Sequence, residues 1–182
     1  MTHPGPPRIA PGDRKQIGLF AYGFTAAAGL VMRSNPPRLF RTMARNPKLF
    51  RGWLRFAGRL MPGGTLPRRD TELLILRVAY LRDCAYEFDH HVRLGKRAGV
   101  TAADVTRVQD GPEAPGWTAR EAVLLRAADA LVASKGLDDE LWHALSGELA
   151  EPQAIEFVLL VTHYDMLATF LLTLRIEPDT HR

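Results

Sequence analysis

Cys84, Glu87 and His91 stand three and four residues apart, the spacing that stacks side chains along one stripe of an α-helix. A thiol, a carboxylate and an imidazole so placed can pass a proton among themselves. An imidazole or carboxylate that takes the thiol proton raises the thiolate fraction, and thiolate is the form that attacks a peroxide, a disulfide or an electrophilic carbon. Each residue also has a plainer reading: the cysteine as a small buried hydrophobe, the glutamate as a surface ion-pair partner, the histidine as a capping or pairing group.

His163 and Asp165 interrupt the most apolar segment of the chain. A buried imidazole or carboxylate must be paired or it costs roughly 2–5 kcal/mol, so His163, with Tyr164 beside it, either satisfies a core hydrogen bond or lines a site. Glu87, Asp89, His90, His91 and His163 offer nitrogen and oxygen donors for a metal. Adjacent His90 and His91 point about 100° apart on a helix, however, and no His-Glu-x-x-His motif is present. No metal and no cofactor is therefore expected.

The elements that position these groups follow from size and periodicity. A chain of 182 residues, 46% of them apolar, is long enough for one sizeable core. Its single cysteine excludes an intrachain disulfide framework and fits a cytoplasmic setting. The apolar run Ile17–Met32 follows two basic residues but is broken by glycines and lacks a clean cleavage motif, so it reads as a helix and not as an export signal. Charge is unevenly spread: residues 1–60 carry +10 and residues 61–182 carry −6.

The proline- and glycine-rich start suggests a flexible arm over residues 1–15, followed by a single helical domain over 16–182. Helical spacing predicts elements over 16–32, 37–45 and 47–60. A long stretch over 68–97 is expected to break near 82–84. Thr101 with Asp104, and Thr118 with Glu121, are capping-box pairs that open helices ending near Gln109 and Lys135. A short helix over 138–146 and a long one from Glu151 to Leu174 complete the chain, and the stretch Ile155–Leu172 is apolar enough to be buried all round. No strand alternation or strand–Gly-rich-turn–helix pattern occurs, so the expectation is an all-α fold of about seven to eight helices without a dinucleotide or P-loop site.

The stretches Glu72-Leu-Leu-Ile-Leu-Arg-Val-Ala79, Cys84-Ala-Tyr-Glu-Phe-Asp-His-His91 and Arg97-Ala-Gly-Val-Thr101 resemble the carboxymuconolactone decarboxylase and alkylhydroperoxidase D-like superfamily. The Asp110–Trp117 loop and the Tyr164–Ala168 segment extend the likeness over about residues 36–174. In the peroxidase branch a helix bears two cysteines separated by two residues, a histidine four after the second, and a glutamate twelve before the first. Glu72, Cys84 and His91 match the glutamate, the resolving cysteine and the histidine, while Glu87 stands where the attacking cysteine would be. The resemblance thus implies a compact helical fold and a Glu72–His91 proton relay without the dithiol. A peroxidase cycle would need an external thiol, or a cysteine from another subunit, to resolve oxidised Cys84.

The decarboxylase branch implies proton transfer on an unsaturated, carboxylated lactone. Glu72, Cys84, Glu87 and His91 are then the catalytic candidates, with Arg77, Arg82, His163 and Tyr164 expected around the substrate. The leading expectation is a decarboxylase-like or isomerase-like enzyme for a small carboxylated or lactone-like molecule. The alternatives are a thiol-dependent peroxidase and a non-catalytic helical binding or assembly protein. The resemblance also implies a homo-oligomer, as dimer, trimer or hexamer. The basic face of Arg41, Arg45, Lys48, Arg55 and Arg59 reads as a solvated, salt-bridged surface and not as a nucleic-acid site, and no membrane association is expected.

Overall fold

The computed structural model describes residues 5–32 and 34–180; residues 1–4 of the expected arm lie outside them. Nine helices run through the described residues, with no strand among them: α1 (Arg14–Met32), α2 (Arg38–Met43), α3 (Pro47–Leu60), α4 (Arg68–Leu81), α5 (Ala85–Arg97), α6 (Ala102–Asp110), α7 (Ala119–Ser134), α8 (Asp139–Glu148) and α9 (Glu151–Leu174). The all-α expectation and the separation of α4 from α5 agree with this order. Two compact units are distinguished, one built from residues 5–61 with 170–180, the other from Pro62–Thr169.

In the first unit, α1 begins at Arg14 and is kinked where Gly18 adopts φ 76°, a conformation that glycine enters without steric cost. Phe24, Phe40, Phe50 and Trp53 form its aromatic centre, with Phe24 and Phe40 centroids 5.7 Å apart and Phe40 and Trp53 also 5.7 Å apart. Two members of the basic face are engaged locally. Arg41 Nε donates to the Gly12 carbonyl at 2.9 Å, and Arg45 donates to the Gln16 side chain at 3.0 Å.

The second unit is organised on α4, whose residues 70–79 are buried without interruption. A helix buried on every face needs partners for its charges, and α4 has them. Arg69 donates to Asp104 at 2.8 Å and to Glu121 at 3.0 Å. Those carboxylates are the acidic members of the two capping boxes, Thr101/Asp104 and Thr118/Glu121. One guanidinium therefore ties the first turns of α6 and α7 to α4, and it holds the Asp104 carboxyl far below the usual carboxylate range. Asp70 accepts from Arg120 at 3.0 Å. Around this frame pack Leu73, Leu76, Val100 and Val108, flanked by Phe88, Val92, Val105 and Trp117.

α9 departs from its expected burial. Phe157, Leu160, Val161 and Leu167 are buried, but Ile155, Leu159 and Met166 are 57%, 41% and 48% exposed. The composition of the helix concealed a periodic division, because its outward positions carry apolar residues too. By length and composition alone α9 would also pass for a membrane span, a test that the core helix of a soluble protein meets equally well.

Candidate active site

The turn between α4 and α5 places the thiol. The Cys84 N–H reaches back to the Ala79 carbonyl at 2.8 Å while Asp83 takes φ 52°. This is a helix end closed by a left-handed residue and a six-to-one hydrogen bond. Asp83 fills the position usually given to glycine, and aspartate is one of the few other residues that tolerate it. Cys84 is consequently the N-cap of α5, one residue ahead of the helix in which the sequence placed it. Its side chain still faces Glu87 in the first turn.

Glu87 is 3% exposed, and neither of its carboxyl oxygens has a hydrogen-bond partner of ordinary geometry. The neighbouring thiol is close enough to act on it, but a thiol is a weak donor. Burial pushes the Glu87 carboxyl up to about 8, against a smaller opposing effect of Cys84. Burial likewise pushes the Cys84 thiol up to about 12, and the Glu87 carboxyl adds to the rise. The thiolate fraction at pH 8 is then roughly a thousandfold below that of an ordinary cysteine. Iodoacetamide should label Cys84 in the native protein at least about 100-fold more slowly than in urea-unfolded chain at pH 8. Intact-mass kinetics check this, and equal rates would contradict it.

His91 lies one turn beyond Glu87. Its Nδ1 is 2.7 Å from Glu72 Oε2, so a relay spanning 19 residues of sequence closes between α4 and α5. A carboxylate accepts and does not donate, so Nδ1–H of His91 is the donor of this bond, and Nε2 is the ring nitrogen left over for the site. Glu72 is fully buried, and its other oxygen accepts from Arg68 Nη2 at 2.7 Å. Close approach of the helices is permitted by Gly95, where a Cβ would come within 3.2 Å of Val100 and 3.6 Å of Glu72 Cβ.

Tyr164 brings α9 to the same cluster. Its ring stands edge-on to His91, with centroids 5.3 Å apart and planes at 89°. Its phenol is held well above its ordinary value by burial, and further by the Glu87 and Glu72 carboxylates, with Arg68 opposing. His163 meets the Tyr164 ring at 5.3 Å, and burial lowers its imidazole to about 4, which keeps it neutral at pH 7.

Of the eight residues selected from sequence, the structure thus gathers Glu72, Cys84, Glu87, His91 and Tyr164, with His163 beside Tyr164. Two are engaged elsewhere. Arg77 grips Asp129 through Nε and Nη2, both at 2.7 Å, and caps α6 through the Val108 carbonyl at 2.7 Å. Arg82 pairs with Asp165, which also accepts from Lys135 at 2.9 Å. Arg68 was missed, although its place four residues before Glu72 on one helix is a readable signal. Among the described residues no group of three or more His, Cys, Asp or Glu side chains is arranged to hold a metal ion.

Together these features define an all-helical protein in which a buried carboxylate–imidazole pair stands beside a second carboxyl and a thiol. The carboxymuconolactone decarboxylase family model matches residues 47–130. The fold is shared with an uncharacterized peroxidase-related protein from Silicibacter sp. TM1040, at TM-score 0.81 and 14% identity, covering 98% of this chain and 95% of that one. It is also shared with the debrominase Bmp8, at TM-score 0.79 and 17% identity over 93% and 91% of the two chains. The alkylhydroperoxidase AhpD core protein from Ralstonia eutropha JMP134 superposes at TM-score 0.73 and 18% identity, over 97% and 94%. Among curated proteins, YdfG of Bacillus subtilis (strain 168) is 25% identical over 99 residues, which are 53% of this chain and 67% of YdfG. Residues 47–130 thus carry the pattern of the carboxymuconolactone decarboxylase family, on a fold shared with AhpD-like proteins.

Proposed function

We propose that this protein is a soluble, cytoplasmic enzyme of decarboxylase-like or isomerase-like type, transferring protons on a small carboxylated or lactone-like substrate and working as a homo-oligomer. The observation that carries the reading is Glu87: a buried carboxyl without an ordinary hydrogen-bond partner, raised to about 8. Such a group is mostly protonated at neutral pH, yet within about one pH unit of its midpoint, so it is poised to give a proton and to take it back, the condition under which general acid–base catalysis works best. His91, oriented by Glu72, is its partner in the transfer, and Tyr164 supplies a hydroxyl at the same cluster. Cys84 is read as part of the site wall, because a thiol raised to about 12 is a poor nucleophile. Arg77 and Arg82 are given no substrate contact, their guanidiniums being held by Asp129 and Asp165.

The test is a turnover screen of lactone acids, hydroperoxides and organobromides, followed by two variants. Acid–base chemistry predicts that Glu87→Gln loses at least about 100-fold in kcat, while Cys84→Ser stays within a few-fold of the parent. The reverse ranking would establish a thiol enzyme. A second reading, a non-catalytic binding or assembly protein, is favoured by the burial of Cys84, Glu87 and His91 at 1%, 3% and 5% exposure, since substrate reaches them only if a covering element moves. It predicts no turnover in the whole screen.

A further inference from the structure

The relay has a third member at its outer end. Glu72 is fully buried and uses its two oxygens on two partners, Arg68 Nη2 at 2.7 Å and His91 Nδ1 at 2.7 Å, while the Arg68 side chain is 42% exposed. A partly hydrated guanidinium therefore supports a carboxylate that water cannot reach. Other polar groups around the pair are His90, whose ring centroid is 5.8 Å from that of His91, Cys84 and Glu87 near the start of α5, and Tyr164, next to His163, on α9. None of these is a permanent cation. A buried carboxylate deprived of its cation is strongly disfavoured, and it is relieved by binding a proton or by drawing one onto the adjacent imidazole.

From this geometry we infer that Arg68 is a positioning residue that acts through Glu72: it keeps the carboxylate ionised without a proton from His91, so that His91 donates Nδ1–H and presents the Nε2 lone pair to the site. Its catalytic consequence rests on the proton-transfer reading above, but its effect on the relay does not. A surface arginine merely bracing α4 would leave the protonation of the Glu72–His91 pair unchanged.

The experiment follows the ring nitrogens of His91 and the carboxyl carbon of Glu72 by 15N and 13C NMR at pH 7 in the full-length protein. The wild type should show a non-protonated Nε2 and an ionised Glu72. In Arg68→Gln the pair should take up one proton, seen either as loss of the Nε2 lone-pair signal or as the acid form of Glu72, and Arg68→Lys should restore the wild-type pattern. In a Glu72→Gln background, Arg68→Gln should change nothing further at His91. Wild-type signals in Arg68→Gln, or an equal change with and without the Glu72 carboxylate, would overturn the inference. Should Arg68→Gln not fold, the double variant lacking both charges must fold if Arg68 serves Glu72, and its failure would count against that role. Given a substrate, Arg68→Gln should lower kcat about tenfold with KM unchanged. Turnover that depends on Glu87 while the NMR signals ignore Arg68 would remove this inference alone. The NMR pattern without any turnover would remove only the enzyme reading.

Discussion

Glu87→Gln is expected to flatten the pH dependence of stability between pH 4.5 and about 8 and to leave the variant more stable than the parent at pH 9. The folded chain holds the Glu87 proton up to about 8, whereas an unfolded glutamate loses it near its ordinary value of 4.5. Within that window the folded state binds more protons than the unfolded state, so stability falls as pH rises. The contribution is fully present below 4.5 and lost once the pH has passed the folded value. For a group this deeply buried the full swing is on the order of 5 kcal/mol. Glutamine is close to isosteric and does not titrate, so the swing disappears. Its amide is left poorly bonded, at a cost of about 1–3 kcal/mol, which makes the variant the less stable protein at pH 4.5 and the more stable one at pH 9. Urea denaturation at those two pH values reads the crossover, and parallel profiles for the two proteins would refute it. Since the Glu87 carboxyl also raises Cys84, the same substitution should quicken alkylation of the thiol at pH 9.

The local sequence carried most of the helix boundaries because short-range chemistry sets them. The capping boxes at Thr101 and Thr118 fix the starts of α6 and α7 through hydrogen bonds that reach three residues. The break before Cys84 was legible as Arg-Asp interrupting an apolar pattern. Its geometry was not, because a left-handed aspartate followed by an N-cap cysteine has no distinctive spacing. The stripe of Cys84, Glu87 and His91 was readable from period alone, but its closure onto Glu72 joins residues on two helices and came only from resemblance. Arginines were the least legible residues. Arg68, Arg77 and Arg82 are alike in composition, and their roles depend on which carboxylate each fork reaches after folding: Glu72, Asp129 or Asp165. Exposure along α9 was hidden for a related reason, since outward Ile155, Leu159 and Met166 are as apolar as the residues that face inward.

Arg77→Met is expected to destabilise the protein by about 3–5 kcal/mol, through the α6–α7 frame and not through substrate binding. The Arg77 side chain is 8% exposed and its fork meets both oxygens of Asp129, while Nη1 satisfies the Val108 carbonyl at the end of α6. Removing it strands a carboxylate that is 27% exposed and a buried carbonyl together. Arg77→Lys should recover little, because one ammonium cannot reproduce a planar two-point grip and reach the carbonyl as well. Arg77→Met combined with Asp129→Leu should regain part of the loss by removing the stranded charge, leaving the cost of the uncapped carbonyl. Urea midpoints measure these differences, and faster amide exchange in the last turn of α6 would locate them. The alternative expectation, an arginine that holds a substrate anion, makes the opposite forecast: a raised KM in a protein of unchanged stability.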